Sequence, residues 1–230
     1  MKTAVITGGS GAIGEGLVKE FSRDYRVIFT YCKNGEKAGE IAEKYGAEAF
    51  CCDVTDCRRI DELAQLAGRC DLLINNAGIS QIKLFSDITP QDWQHMLDVN
   101  LTGVFNVTHA LLPHMLRQKS GSIINITSVW GVHGASCEVH YSAAKAGLIG
   151  FTKALAKETG ASGIRVNAIA PGVIQSEMNA HLSEEELEEL KNNTPLGKIG
   201  TAADVAAAAR YLSQAEFVTG QILGVDGGFY

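Results

Sequence analysis

The chain is predicted to fold as one α/β domain, a single doubly wound parallel sheet of about seven strands with helices on both faces. Three observations predict it. Short apolar runs alternate with longer amphipathic stretches from end to end. The runs are too uniformly apolar for a half-exposed strand, so the sheet is expected to be parallel and covered on both faces. A glycine-rich turn ends the first run and opens the first amphipathic stretch.

Taken in order, strands are expected at Thr3–Thr7, Arg26–Tyr31, Ala47–Cys52, Leu72–Asn75, Ser122–Thr127, Arg165–Ala170 and Ile222–Val225. Helical patterns fill the intervals at Ile13–Arg23, Glu36–Tyr45, Arg58–Ala67, Gln91–Gln118, Val139–Thr159 and Ala202–Ser213. Right-handed crossovers between such units give a Rossmann-type sheet. Pro113 falls inside the fourth helical pattern, where a kink is expected. The stretch 173–198 breaks the rhythm. It holds a short acidic helix, Ser183 to Leu190, with a capping box from Ser183 to Glu186, between Pro171-Gly172 and Pro195. An excursion between two sheet elements reads as a substrate flap. Without repeats, low-complexity tracts or linkers, residues 1–230 read as one domain.

Composition narrows the function classes. With 230 residues, 46% of them apolar and 20% charged, 25 glycines and 4 prolines, the chain has the balance of a compact globular enzyme. A net charge of −6 with no basic run leaves no nucleic-acid footprint. No signal-type apolar region opens the sequence, and no run of about 18 apolar residues could span a membrane. Cys32, Cys51, Cys52, Cys57, Cys70 and Cys137 form no Cys-x-x-Cys pair and lack histidines at ligand spacing. Buried free thiols in a reducing cytosol, and no metal, are expected. Cys137, close to Tyr141, reads as a small packed side chain.

The chemistry concentrates in two motifs. Tyr141 and Lys145 are four residues apart in a helical pattern, so phenol and ammonium share one face. A fixed positive charge favours the phenolate and is expected to lower the tyrosine pKa from about 10, making a proton donor for a carbonyl oxygen. The second motif is Thr7-Gly8-Gly9-Ser10-Gly11-Ala12-Ile13-Gly14, between strand and helix. Its glycines permit a tight turn, and the helix N-terminus faces a pyrophosphate. An acid binding the ribose 2′-hydroxyl of NAD is expected at the end of the second strand. That place reads Phe29-Thr30-Tyr31-Cys32-Lys33-Asn34. Lacking a carboxylate, and with Lys33 and the Thr30 hydroxyl able to accept a phosphate, it favours NADPH over NADH. Lys33 as an ordinary solvated turn residue remains open.

The glycine turn, Asp53-Val54, Asn75-Asn76-Ala77-Gly78, Asn100, Ser128, Tyr141-x-x-x-Lys145 and Pro171-Gly172 appear in one order along the whole chain. In this set the sequence resembles the classical short-chain dehydrogenase/reductases. The resemblance implies that Gly8, Ser10, Ile13 and Gly14 wrap the cofactor phosphates, and that Asp53 and Val54 bound the adenine. Asn75, Ala77 and Gly78 would line the ribose side, with Asn75 also fixing the central strand. Pro171, Gly172, Ile174 and Ser176 would hold the carboxamide edge of the nicotinamide. Ser128 would bind the substrate carbonyl and Tyr141 protonate it. Lys145 would bind the nicotinamide ribose and depress the Tyr141 pKa, and Asn100 would hold a water linking Lys145 to solvent. Residue by residue the alternatives stay open: Asn100 could bridge a helix break, Ser128 end a strand, Asp53 cap a helix. The family's usual turn has glycine where Ala12 stands, a methyl tolerated if φ there is negative. The basic residue that often precedes that glycine is replaced by Gly11.

The implied reaction is NADPH-dependent reduction of a ketone. Asn125-Ile126-Thr127-Ser128, Gly163 to Ala168, Val218 to Gln221 and Val225 to Gly228 are similar to the 3-oxoacyl-[acyl-carrier-protein] reductases of fatty-acid synthesis. Ser128-Val129-Trp130-Gly131 and Gly134 to Val139 instead resemble reductases of the 5-aminopentanone group on elongation factor P, where Glu138 and the acidic flap would attract a substrate amine. A non-catalytic dinucleotide-binding regulator predicts damage to the catalytic set, yet Asn100, Ser128, Tyr141 and Lys145 are all present. The resemblance also implies a cytoplasmic homotetramer acting on a small-molecule or carrier-protein-bound ketone.

Overall fold

The computed structural model describes residues 1–175 and 183–229. Seven strands form one parallel sheet: β1 (Lys2–Ile6), β2 (Tyr25–Tyr31), β3 (Glu48–Cys51), β4 (Leu72–Asn75), β5 (Gly121–Ile126), β6 (Ile164–Pro171) and β7 (Ile222–Val225). Their order is β3-β2-β1-β4-β5-β6-β7, so the direction of winding reverses between β1 and β4. Ligands of open α/β sheets bind at that crevice, beyond the carboxyl ends of the strands.

The expected strands are all found, most of them displaced by a residue at one or both ends. Helices α1 (Ala12–Phe21), α2 (Gly35–Tyr45) and α9 (Ala202–Gln214) lie over one face. Leu17, Phe21, Phe29, Ile74, Val205 and Leu212 close the core there. On the other face α3 (Cys57–Ala67) and α5 (Gly103–Gln118) bury Val5, Ile28, Leu63, Val107 and Leu111. The five inner strands, β2, β1, β4, β5 and β6, thus supply apolar side chains to both faces, which accounts for their continuous apolar runs.

The long helix expected over Gln91–Gln118 is interrupted. The chain runs as α4 (Pro90–Leu97), a π-helical segment Asp98–Thr102, then α5. Gly103 N–H reaches back to the Asp98 carbonyl, five residues rather than four. Asn100 holds this break: its amide donates to the Met96 carbonyl at 3.1 Å. Pro113 lies inside α5, well past the interruption. A five-residue helix that the sequence pattern did not single out, α6 (Val129–His133), precedes α7 (Val139–Thr159).

Within the excursion after β6, α8 (Glu184–Asn192) carries the expected capping box between Ser183 and Glu186. The segment's neck is closed by a bridge between Ile174 and Gly200. Ser176 lies outside the described residues.

Candidate active site

The glycine turn leaves β1 with Gly8 at φ +66°, a conformation a side chain would strain. Gly14 is needed for closeness: a Cβ there would fall 2.1 Å from the Gly8 carbonyl oxygen. Ala12 is the first residue of α1, and its φ is not among the positive values of non-glycine residues, so its methyl is accommodated. Gly11 caps α1 and no side chain bonds to the free N–H groups of the first turn. Ser10 and Ile13 lie half-buried beside them. These open N–H groups, with the helix dipole behind them, fit a pyrophosphate.

The turn is stitched to the end of β4. Thr7 Oγ1 accepts the N–H groups of Asn76 at 2.9 Å and Ala77 at 3.0 Å. Asn76 donates to the Thr7 and Gly8 carbonyls, both at 3.0 Å. Asn75 is turned under the sheet, where its amide donates to Thr108 Oγ1 at 3.0 Å and Asn125 Oδ1 at 2.9 Å. Asn125 in turn donates to Thr152 Oγ1 at 2.9 Å. The expected strand-fixing role of Asn75 is therefore the one its side chain performs. Its partner Asn125, quoted above only as part of a shared segment, was marked by being an asparagine within an otherwise apolar strand.

At the end of β2 one expectation is corrected. Thr30 is buried and its hydroxyl accepts the Gly8 N–H at 3.2 Å, so it braces the glycine turn and does not face a 2′-phosphate. Lys33 remains exposed there. Asp53 Oδ1 accepts the Thr55 N–H and hydroxyl, bonds that hold its carboxyl below the usual range against the opposing effect of burial. Its other oxygen stands 3.6 Å from Cys32 Sγ. Cys32, Cys51 and Cys57 are exposed at or beyond the ends of β2 and β3, so the expected burial of the thiols holds for Cys52 and Cys70 and fails for these three. Val54 is buried against Gly103.

Ser128, Tyr141 and Lys145 converge beyond β5. Ser128 caps α6, its Oγ accepting the Trp130 N–H at 3.2 Å, and its hydroxyl stands near enough to the Tyr141 phenol to favour the phenolate. Tyr141 and Lys145 lie one turn apart on α7, with Nζ 5.7 Å from the tyrosine ring centroid. Lys145 is buried and donates to the Ile126 carbonyl at 3.0 Å. Thr127 Oγ1 donates to the Lys145 carbonyl at 2.9 Å, fixing α7 against β5.

The electrostatics differ from the expected tuning. Burial pushes the Tyr141 phenol up to about 12; the nearby Ser128 hydroxyl opposes this and the Glu138 carboxylate adds to it. Burial pulls the Lys145 ammonium down to about 8. Each loses solvent, and for both groups desolvation is the largest cause of the shift.

Asn100, fully buried, faces this pair across Gly78. A Cβ on Gly78 would lie 2.7 Å from Asn100 Oδ1 and 3.4 Å from Lys145 Nζ. The asparagine amide closes a ring with Ile79, accepting its N–H at 3.2 Å and donating to its carbonyl at 3.0 Å. The residue thus does bridge a helix break, at a π-segment of the kind frequent in functional sites. Ala77 and Gly78 follow the end of β4, and Pro171 and Gly172 stand at the end of β6. Gly172 N–H donates to the Val225 carbonyl at 2.9 Å, and Ile174 is buried in the neck bridge.

Sequence reading missed a second polar chain beside the pair. His140 is fully buried, its Nε2 lies 3.0 Å from Gln81 Oε1, and its Nδ1 has no partner. Asp92 accepts from Lys83 Nζ at 2.6 Å. Lys83 N–H donates to the Cys137 carbonyl at 2.7 Å, and Cys137 itself has φ +61°. Widely separated residues in the sequence, with no shared motif, gave no sign of this contact.

A protein-family model described as enoyl-(acyl carrier protein) reductase matches residues 9–230. A 3-oxoacyl-[acyl-carrier-protein] reductase of Chlamydia muridarum is 37% identical over 99% of this chain and 96% of its own length. One from Aquifex aeolicus is 38% identical, covering 100% and 97%. The crystal structure of 3-oxoacyl-[acyl-carrier protein] reductase from Brucella melitensis matches with a TM-score of 0.93 at 34% identity, over 99% of this chain and 90% of that one.

Proposed function

Because the chain belongs to the short-chain dehydrogenase/reductase family, which works with a nicotinamide dinucleotide, we propose that it is an NADPH-dependent ketoreductase of the 3-oxoacyl-[acyl-carrier-protein] type. The observation that carries the reading is the convergence of Ser128, Tyr141 and Lys145 beside a glycine turn whose helix N-terminus is free. When bound, the dinucleotide supplies the hydride.

The chain's own groups do the rest. Gly8, Ser10, Ile13 and Gly14 hold the phosphates, Asp53 and Val54 the adenine, and Ala77, Gly78, Pro171, Gly172, Ile174 and Ser176 the nicotinamide half. Ser128 orients the ketone oxygen toward Tyr141. With its pKa held high, the phenol keeps its proton until the carbonyl oxygen accumulates charge. The Lys145 ammonium, on the same face, then compensates the phenolate left behind. Asn100 supports that ammonium from the π-segment. General acid catalysis of this kind is worth about 10²–10⁴-fold. Residues 173–198 act as a flap over the ketone site. NADPH is preferred because the end of β2 carries exposed Lys33 and no carboxylate; parallel kcat/KM values for NADPH and NADH test this.

One observation favours a second substrate. The Glu138 carboxylate raises the Tyr141 pKa, so it stands within electrostatic reach of the reacting phenol. There it would attract an amine-bearing ketone, such as the 5-aminopentanone group on elongation factor P. Turnover on acetoacetyl-carrier protein set against turnover on the modified factor decides between them: the first reading requires the carrier-bound substrate to win, and a strong preference for the amine overturns it. Exposed Phe105 and Leu116 on α5 support assembly as a homotetramer, measurable by light scattering. No helix among the described residues is long and apolar enough to cross a membrane, in keeping with a cytoplasmic site of action.

A further inference from the structure

Beyond β7 the chain turns back through Gly227 and Gly228, at φ +68° and +83°. This turn is fastened to the end of the excursion that carries α8. Leu196 N–H donates to the Gly227 carbonyl at 3.1 Å. Thr194, 5% exposed, packs so closely that a Cβ on Gly227 would lie 2.7 Å from its Cγ2. The excursion's neck is itself fixed, since Gly200 N–H bonds the Val173 carbonyl and Gln175 N–H the Gly200 carbonyl, both at 2.9 Å. The turn delivers Phe229 edge-on to Trp130, with ring centroids 5.9 Å apart and planes at 74°.

Trp130 is two residues beyond Ser128, and its N–H bonds the Ser128 oxygen, whose hydroxyl stands near the Tyr141 phenol. Neither aromatic ring belongs to the two cores of the domain, and both residues are half-exposed. A ketone oriented by Ser128 must extend one substituent away from Tyr141. The first turn of α6, where Trp130 stands, is on Ser128's own flank.

We propose that Trp130 and Phe229 form the specificity-determining wall of the ketone site, limiting the bulk of the acyl group, with Gly227 anchoring the wall to Thr194 and Leu196. The inference rests on the ketoreductase reading. An edge-to-face aromatic pair is stiff and wholly apolar, so it discriminates by size, at roughly 10-fold or more per methylene excluded.

The test compares kcat/KM for a short and a long β-keto thioester, acetoacetyl- and 3-oxodecanoyl-N-acetylcysteamine, in wild type, Phe229→Ala and Trp130→Ala. Each alanine variant is expected to raise the long-to-short ratio by about 10-fold or more. The change should lie mainly in KM for the long substrate, with NADPH affinity held. Trp130→Phe should stay near the wild-type ratio. The double variant should gain less than the product of the singles, because the rings form one wall. Should Trp130→Ala fail to fold, Phe229→Leu carries the comparison, and a ratio unchanged in folded Phe229 variants overturns the wall. If wild type reduces neither thioester, the ketoreductase reading fails and the wall falls with it. If it reduces both and the ratio does not move, the wall alone fails.

Discussion

Lys145 shows at the scale of one residue what the site costs the fold. An ammonium that burial holds near 8, against an ordinary 10.5, is on the order of 3 kcal/mol less favourable charged in the folded chain than in the unfolded one. Because the folded value lies below the unfolded one, this group's stabilising contribution is complete above pH 10.5 and is lost as pH falls through 8. Tyr141 runs the other way: its folded value near 12 exceeds 10, so its contribution is intact below pH 10 and lost as pH rises through 12. Lys145→Met, which also forfeits the bond to Ile126, is expected to gain roughly 1–3 kcal/mol at pH 7 and little at pH 10.5. Urea unfolding at the two pH values measures this, and turnover should be lost at both. The pairing of Tyr141 with Lys145 was legible from their spacing. The direction of their pKa shifts was not, because spacing reports a neighbour's charge and not the burial that shifts both groups. Thr30 misled for a related reason: a hydroxyl at a strand end looks free until the Gly8 N–H is seen to claim it.

At the scale of elements, the glycine turn and the π-segment set the site's width. Gly14→Ala would drive a methyl into the Gly8 carbonyl and force the turn open. The expected result is a loss of roughly 1–3 kcal/mol in stability, and dinucleotide affinity lowered by about 10-fold or more, read by thermal unfolding and fluorescence titration. Asn100→Ala removes both bonds to Ile79 and should destabilise by roughly 1–3 kcal/mol. It should also reduce kcat more than it weakens NADPH binding, since Asn100 borders Lys145. Strand and helix order was readable because apolar runs and amphipathic stretches have different periods. The break at Asp98–Thr102 was not, because a π-turn leaves the apolar pattern continuous and declares itself only through the carbonyl that Asn100 captures. The short α6 escaped likewise, being a single capped turn too brief for a period.

For the whole molecule, the ends of the chain must meet for the crevice to form. Arg210 of α9 makes that join: it bonds Glu20 at 3.0 Å and Asp24 at 2.9 Å, and stacks 4.4 Å from the centre of the Phe21 ring. Arg210→Ala should lower stability by roughly 2 kcal/mol and leave the kcat of the remaining folded enzyme near normal, since it touches no group of the site. The central claim is proton delivery to a ketone by Tyr141, and NADPH oxidation with an acetoacetyl thioester tests it most directly, comparing wild type with Tyr141→Phe. The account predicts substrate-dependent oxidation by wild type, and a variant that binds NADPH almost as well yet turns over at least about 10²-fold more slowly. Near-normal oxidation by Tyr141→Phe would contradict it.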